Sequence, residues 1–522
     1  MKNLLSAFAL VLVALYGQSQ TKVFKEVSEE VTSQIKAITQ DGSLVGYLVF
    51  TQLEKASEDM FNYRISIMDE NLNDIGTINF KDEKLFLQQV SFEQDILCLA
   101  YIKSNIVGKE FKNVRSYNRE LESAAKSSIF SQFVSLDGKI VGTNSIKVDL
   151  KYPSGETYMR KKNLIGDGRL TKQLLLKNIS GNGFAMFYGD EKNNKMIIYD
   201  LNGKQKANKI IKEKGDDFAL LTSGTDVYIL MKDKYVNSSE GEYNMLAYRT
   251  TDSTVMPKYA LKDKRGNALK VLAFDNDPLT GKPYVSGNII QSDVLTYDNA
   301  KEMGKGAYAG VFTINFNGTK KSDVIESYSY WNDGSQTSFS KSGQIPDVKS
   351  YARQTISFKD YSGNTYFIGS SVKKKTRWGA IAGAVITVPL ILGPVYFLAG
   401  GTQKSKITDA TLIKQNAKGS LSIENNIKSD GSKFYPARTP FYMYDQRSYY
   451  TVSNPDTKTS YLIFDDNNNI TIYNVDQKKV MRTIPHWNGA VETSVYPAKE
   501  GHILVSQYNA KEKFKRFSIE AL

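Results

Sequence analysis

The sequence predicts an all-β fold, a β-propeller-like array of about seven or eight blades, with a short apolar helical hairpin inserted between two strands. Three observations carry that prediction. Apolar and polar residues alternate with period two along most of the chain, the pattern of half-buried strands. Strand–turn–strand units with Asn-Gly, Asp-Gly or Asp/Asn-rich turns recur at roughly 45–65 residues, the spacing of four-stranded blades. One interval is much longer, and it holds 24 consecutive uncharged residues, 378–401.

Residues 1–19 predict a cleavable signal peptide. Lys2 supplies the positive start, residues 4–16 form an uncharged apolar run, and Gly17-Gln18-Ser19 puts small residues where a signal peptidase reads. The run has 13 residues, too short to cross a ~30 Å hydrocarbon layer as a helix. The mature chain is then residues 20–522, predicted to be periplasmic, outer-membrane-associated or extracellular. The single cysteine, Cys98, lies far from the cleavage site, which excludes lipidation at the first mature residue and any intramolecular disulfide. Within Ile96-Leu97-Cys98-Leu99-Ala100 it reads as a small core residue.

The strands follow in order. Residues 61–67 alternate, turn through Asp69-Glu70-Asn71-Leu72-Asn73-Asp74 and continue at 75–80. The unit repeats at 129–136 with Asp137-Gly138, 195–199 with Asn202-Gly203, 311–316 with Asn317-Gly318, 411–415 with Lys418-Gly419, and 461–464 with the Asp465–Asn469 turn. Asn-Gly and Asp-Gly supply the positive φ angles that tight hairpins need. Further strands are expected at 44–52, 94–103, 184–188, 218–231, 269–274, 282–290, 355–372 and 441–453. Helical signal is weak and strongest at 27–35 and 119–126. A pair of β-sandwiches is the rival architecture.

Composition narrows the function classes. A net charge of +13, from 68 basic against 55 acidic residues, is spread along the chain as a lysine-rich surface. It favours acidic partners such as envelope lipids or polysaccharides, and no nucleic-acid recognition motif accompanies it. Tyr and Phe are abundant, at 32 and 25, and both favour strands.

The apolar segment 373–406 departs from this rhythm. Lys373, Lys374, Lys375 and Arg377 precede the uncharged stretch, and Lys404 and Lys406 follow it. Its length is that of a transmembrane helix, but three features oppose a single span. After export the denser basic flank would stand on the wrong side for the positive-inside rule. The flanks 364–372 and 407–415 read as partner strands of one blade, which a span would separate. Pro389 and Gly393-Pro394 break the middle of any helix. A hairpin that returns to the side it left fits better, with Gly379 and Gly383 permitting close contact of its arms. Burying on the order of 1,000 Å² of apolar surface is worth about 25 kcal/mol, so a membrane, a partner or the chain itself must cover it. The residues expected to make that contact are Trp378, Ile381, Val385, Ile386, Leu390, Ile391, Leu392, Tyr396, Phe397 and Leu398.

No catalytic, cofactor or metal site emerges. His486 and His502 are the only histidines, and neither stands in a zinc-ligand spacing or beside a visible nucleophile. The Asp465-Asp466 run lacks the spacing of a calcium loop and reads as a hairpin turn. Gly281-Lys282, in the 275–284 loop, lacks the upstream glycine of a phosphate loop. The aromatic and arginine-rich stretch 435–450 reads first as strand packing and second as a sugar- or peptide-stacking surface.

Three segments, Phe24-Lys25-Glu26-Val27-Ser28-Glu29-Glu30, Val45-Gly46-Tyr47-Leu48-Val49-Phe50 and Asp69-Glu70-Asn71-Leu72-Asn73-Asp74-Ile75-Gly76, resemble a family of exported, uncharacterised proteins of Bacteroidota. The resemblance covers most of the mature chain, with its best match in the first third. It implies an envelope or extracellular location and a β-rich fold, and it carries no activity. The expected function is an exported, non-enzymatic binding protein of the cell envelope whose apolar hairpin meets a membrane or protein partner. The alternative is a secreted polysaccharide hydrolase with carboxylates in a propeller funnel.

Overall fold

In the computed structural model the described residues are 20–25, 33–40, 43–103, 115–116, 119, 128–148, 174–189, 194–213, 215–233, 242–251, 255–290, 308–318, 320–331, 333, 339–340, 343–345, 349–376, 403–428, 434–436, 448–465, 468–509, 511–512 and 514–522. Strand β1 is Gln20–Lys25. The first blade holds β2–β5, at Ser33–Gln40, Ser43–Lys55, Phe61–Asp69 and Asp74–Asp82. The second holds β6–β9, at Leu85–Glu93, Ile96–Lys103, Ser128–Ser135 and Ile140–Lys147. The third holds β10–β13, at Leu174–Ile179, Gly183–Gly189, Asn194–Tyr199 and Gln205–Ile211. The fourth holds β14–β17, at Gly215–Ser223, Asp226–Asp233, Tyr243–Arg249 and Val255–Leu261. The fifth holds β18–β21, at Leu269–Asn276, Pro283–Ile290, Tyr308–Phe316 and Val324–Tyr330. The sixth holds β22–β27, at Gln344–Ile345, Ser350–Lys359, Thr365–Thr376, Gln403–Gln415, Leu421–Ile427 and Phe434–Pro436. The seventh holds β28–β31, at Ser448–Asn454, Thr459–Asp465, Asn469–Asn474 and Lys479–Pro485. The eighth holds β32–β35, at Trp487–Asn488, Val491–Pro497, His502–Asn509 and Phe514–Ala521, and β1 joins its edge.

Each sheet is assembled from consecutive strands, save for β1, which pairs antiparallel with β35 from Gln20↔Ile519 to Lys25↔Phe514. Eight such sheets make an all-β chain of the eight-bladed β-propeller class rather than two sandwiches. The chain divides into two compact units. One comprises residues Met1–Leu170, Val452–Asn454 and Thr483–Leu522; the other comprises Thr171–Thr451 and Pro455–Arg482.

Local chemistry explains the hairpins. At Asp69, Ser135, Asp200, Asp360 and Asn416 the amide of the first turn residue donates to the carbonyl of the fifth, and the amide of the fourth donates back to the first. This is a type I turn followed by one left-handed residue. The first side chain staples it: Asp200 Oδ1 accepts from the amides of Asn202 at 3.0 Å and Lys204 at 2.8 Å. Asn416 repeats this with Lys418 and Ser420. Only the fourth residue is left-handed, as at Gly203 (φ 79°) and Gly419 (φ 82°), so the glycine of Asn202-Gly203 matters and its asparagine does not need positive φ. Leu72 holds that position at φ 66° because its side chain is buried against Leu44 and Tyr47. Asn317-Gly318 departs from expectation: β20 and β21 are joined through a 3-10 turn at Lys321–Asp323, closed by Asn317 N–H donating to the Asp323 carbonyl at 3.0 Å.

The core lies in the seams between successive blades of one unit. Leu48, Phe50, Tyr63 and Ile65 of the first blade pack against Leu87, Leu97 and Tyr101 of the second. Phe187 and Ile198 of the third meet Phe218 and Ile229 of the fourth, with the two phenylalanine centroids 4.8 Å apart. Cys98 is fully buried in β7, as its apolar neighbours predict, and burial pushes its thiol pKa well up.

Tyr63 shows how a seam is tuned. Its ring stacks between Phe50 and Phe80, at 5.2 and 5.3 Å. Its hydroxyl accepts the Leu85 amide at 2.8 Å and donates to the Glu83 carbonyl at 3.1 Å. Burial, opposed by the Leu85 hydrogen bond and aided by Asp82, pushes the hydroxyl up to about 12. A folded pKa above the unfolded value of about 10 gives stability that is complete below pH 10 and is lost as pH rises to about 12. Tyr63→Phe is expected to flatten that alkaline loss in pH-dependent urea titrations. At pH 7 it costs about 1–3 kcal/mol, because the Leu85 amide and Glu83 carbonyl lose their partner.

The helical expectations fare differently from the strands. The end of the 27–35 candidate is strand, since Ser33–Gln40 pairs with β3, and residues 27–32 lie outside the described residues. Arg115, Ser116 and Arg119 have helical backbone, whereas the rest of the 119–126 candidate lies outside the described residues. The expected helical hairpin at 378–401 also lies outside them.

Candidate functional site

Two places on the described surface have chemistry that packing alone does not account for. The first is the base of the apolar segment. Strands β24 and β25 pair antiparallel along their length, from Thr365↔Gln415 to Thr376↔Gln403. The chain therefore leaves the sixth blade at Thr376 and re-enters it at the cross-strand partner of that residue. The flanks are partner strands of one blade, as the sequence predicts. A register shift between Ser370 and Val372 places Lys373 opposite Lys406 and Lys375 opposite Lys404, while Lys374 faces Ser405. Strand β27 extends it, pairing Phe434 with Lys406 and Pro436 with Lys404. Arg377, Trp378, Ile381, Val385, Ile386, Leu390, Ile391, Leu392, Tyr396, Phe397 and Leu398 lie outside the described residues. Among the described residues no helix is long and apolar enough to cross a membrane.

The second place is a cleft of about 490 Å³ in the second unit, lined by Lys264 and Arg265, by β21 from Glu326 to Tyr330, by Asp333, and by Lys418 to Ser420. Its side chains are held from behind. The Tyr330 hydroxyl donates to the buried Asp263 carboxylate, and the Tyr328 hydroxyl donates to the Lys262 carbonyl at 2.7 Å. The Arg265 guanidinium lies 3.6 Å over the Tyr330 ring. Ser329 donates to the Gly419 carbonyl and accepts from Gln415 Nε2, both at 2.6 Å. Glu326 accepts from Tyr259 at 2.6 Å and stands 3.8 Å from Lys264. Burial first, then the Asp263 hydrogen bond and charge, drives the Tyr330 pKa well up, so its hydroxyl remains a donor at neutral pH.

The seam between the fifth and sixth blades also holds polar contacts. Thr313 donates to Gln415 at 2.7 Å, and Ser286 and Ser357 share a hydrogen bond of 2.6 Å. Lys359, at the end of β23, reaches Asp277 at 2.6 Å, bonds Asn315 Oδ1 and lies 5.1 Å over the Tyr284 ring. The sequence shows Asp277 only as part of a 275–284 loop. Its carboxylate also accepts the Leu279 amide at 2.8 Å, so it is the buried anchor of that loop.

The remaining sequence candidates are separate. His486 is tied to the Thr493 carbonyl and His502 to the Glu500 carbonyl. Among the described residues no group of three or more His, Cys, Asp or Glu is gathered as a metal site. Tyr449 is core, its hydroxyl paired with Ser370 at 2.8 Å, while 437–447 lie outside the described residues. Asp465 ends β29 opposite Ile470, in the hairpin the sequence predicts, and Asp466 lies outside the described residues.

Solved structures similar to this chain include the β-propeller domain of the Trilobed protease from Pyrococcus furiosus, at 10% identity and TM-score 0.37, covering 84% of this chain and 93% of that one. Apo AztD from Citrobacter koseri matches at 10% identity and TM-score 0.40, covering 91% and 96%. The Dos1 propeller matches at 8% identity and TM-score 0.43, covering 95% and 94%. Likenesses this distant bring no activity to the chain. No curated protein matches it. Residues 1–135, which include all three segments of the family resemblance, match the model of a family of unknown function (DUF6770).

Proposed function

We propose that this is an exported binding protein of the cell envelope whose segment 378–401 contacts a membrane surface or a protein partner. The reading rests on the cross-strand pairing of Thr376 with Gln403, which returns the segment to its starting point and makes it an insertion carried by a blade hairpin. The lysine register supports it further. Like charges placed directly opposite in a sheet are unfavourable, by a few tenths to about 1 kcal/mol per pair, so Lys373↔Lys406 and Lys375↔Lys404 do not serve the fold. Beside 24 uncharged residues they suit an acidic counter-surface, where each lysine adds about 1 kcal/mol of attraction to anionic headgroups.

The test is cell fractionation of the full chain and of a variant in which residues 378–401 are replaced by a short turn. The strand ends are already paired, so the variant keeps its blade. The full chain is expected in a membrane or complex fraction, and the variant in the soluble fraction with at least a tenfold drop in bound protein. Glutamate at positions 373, 375, 404 and 406 with the segment intact weakens binding to anionic vesicles if a membrane is met, and leaves a protein complex formed through the apolar residues alone. A full chain that is freely soluble and monomeric overturns the reading.

A further inference from the structure

We propose that the cleft between β21 and the Lys418–Ser420 turn binds an acidic polysaccharide, taking one uronate residue of the chain. This goes beyond the envelope-contact reading and does not depend on segment 378–401. The cleft, at about 490 Å³, falls within the size range of small-ligand sites. Three cations, Lys264, Arg265 and Lys418, stand in it against two carboxylates, Glu326 and Asp333. Glu326 is engaged by Tyr259 and pairs with Lys264, which leaves Arg265 and Lys418 against Asp333 at the mouth.

That mixture selects the ligand. A lipid tail or other apolar ligand finds mostly polar walls. A densely charged polyanion such as a nucleic acid is repelled by the two carboxylates. A uronate presents one carboxylate, for which a guanidinium and an ammonium are partners, and several hydroxyls, which donate to Glu326 and Asp333 and accept from Ser327 and Ser420. Arg265 is suited to the carboxylate, because its guanidinium is held 3.6 Å over the Tyr330 ring and its forked N–H donors match a carboxylate. Tyr330 is itself fixed by Asp263, which Asn267 holds at 2.6 Å. Ser329 and Gln415 tie β21 to the Lys418 turn, so the walls are set before a ligand arrives.

The test is isothermal titration of the full chain with a galacturonate tetramer and with its methyl ester, which keeps the hydroxyls and removes the charge. The acid is expected to bind saturably and to weaken with added salt, and the ester at least tenfold more weakly. Lys418→Gln and Arg265→Gln change exposed side chains, and each is expected to weaken acid binding about tenfold with an unchanged circular-dichroism spectrum. Lys418→Gln disturbs no packing, so it guards against a loss caused by the Tyr330 stack. Equal binding of acid and ester, wild-type affinity in both variants, or no acid binding at millimolar concentration overturns the proposal. None of these readouts involves lipid, so they are distinct from failure of the membrane reading.

Discussion

Lys359→Met is expected to destabilise the protein by about 3–5 kcal/mol, read as a lower urea midpoint for the second unit. The side chains of Lys359 and Asp277 are 5% and 8% exposed and meet at 2.6 Å. Methionine fills the space but leaves the Asp277 carboxylate out of water with only the Leu279 amide, and it orphans Asn315 Oδ1. An uncompensated buried charge is costly because the interior cannot replace its hydration. Asp277→Asn tests the other half, and the double variant should lose at least 1 kcal/mol less than the sum of the two singles, since they share one interaction. Added salt should change little, because a buried pair is weakly screened. A Lys359→Met midpoint equal to wild type would show that this pair does not bind the fifth blade to the sixth.

Gly369→Ala is expected to cost about 3 kcal/mol, at the upper end of overpacking effects. Gly369 faces Gln354 across β23–β24, beside the register shift between Gln354 and Ile356. A Cβ there would stand 1.6 Å from the Arg353 carbonyl oxygen and 2.7 Å from the Gln354 Cα, so backbone rather than a flexible side chain must yield. The bulge brings the strands this close, and glycine is the residue that tolerates it. Gly181→Ala is the contrast. That turn glycine has φ 70° and nothing within 4 Å of its added Cβ, so its cost is the conformational one of about 1 kcal/mol. Equal losses at the two positions would remove the close-approach argument.

These two glycines mark the limit of what could be read in advance. Gly181 lies in a turn between two strands and Gly369 inside one, and only the pairing of β23 with β24 shows how close the backbone comes at Gly369. The hairpins were legible because their determinants are local: Asp200 and Gly203 stand three residues apart, and a single turn carries all of their bonds. Strand alternation was legible for the same reason, as in β4, where Tyr63, Ile65 and Ile67 face inward. The cleft was not. Its parts come from residues 264, 326–330 and 418, and no short spacing announces that the Lys418 turn lies against β21. The one signal was Glu326-Ser327-Tyr328-Ser329-Tyr330, an alternation of aromatic and hydroxyl side chains that reads equally as a plain strand.

By itself, the sequence determined an all-β chain of repeated hairpin units, a buried Cys98, and an uncharged segment flanked by lysines and by partner strands. Those features follow from residue type and short-range period, which act within one hairpin. The tertiary structure decided the rest. It closed the eighth blade with β1, buried Lys359 on an aspartate 82 residues away, and built the cleft across the fifth and sixth blades. It also decided the lysine register. Without the irregularity between Ser370 and Val372, Lys373 would pair with Ile407, Lys375 with Ser405, and Lys374 alone would oppose a lysine, Lys406. A one-residue shift moves a strand's side chains to the other face, and packing and hydrogen bonding of whole strands set that register.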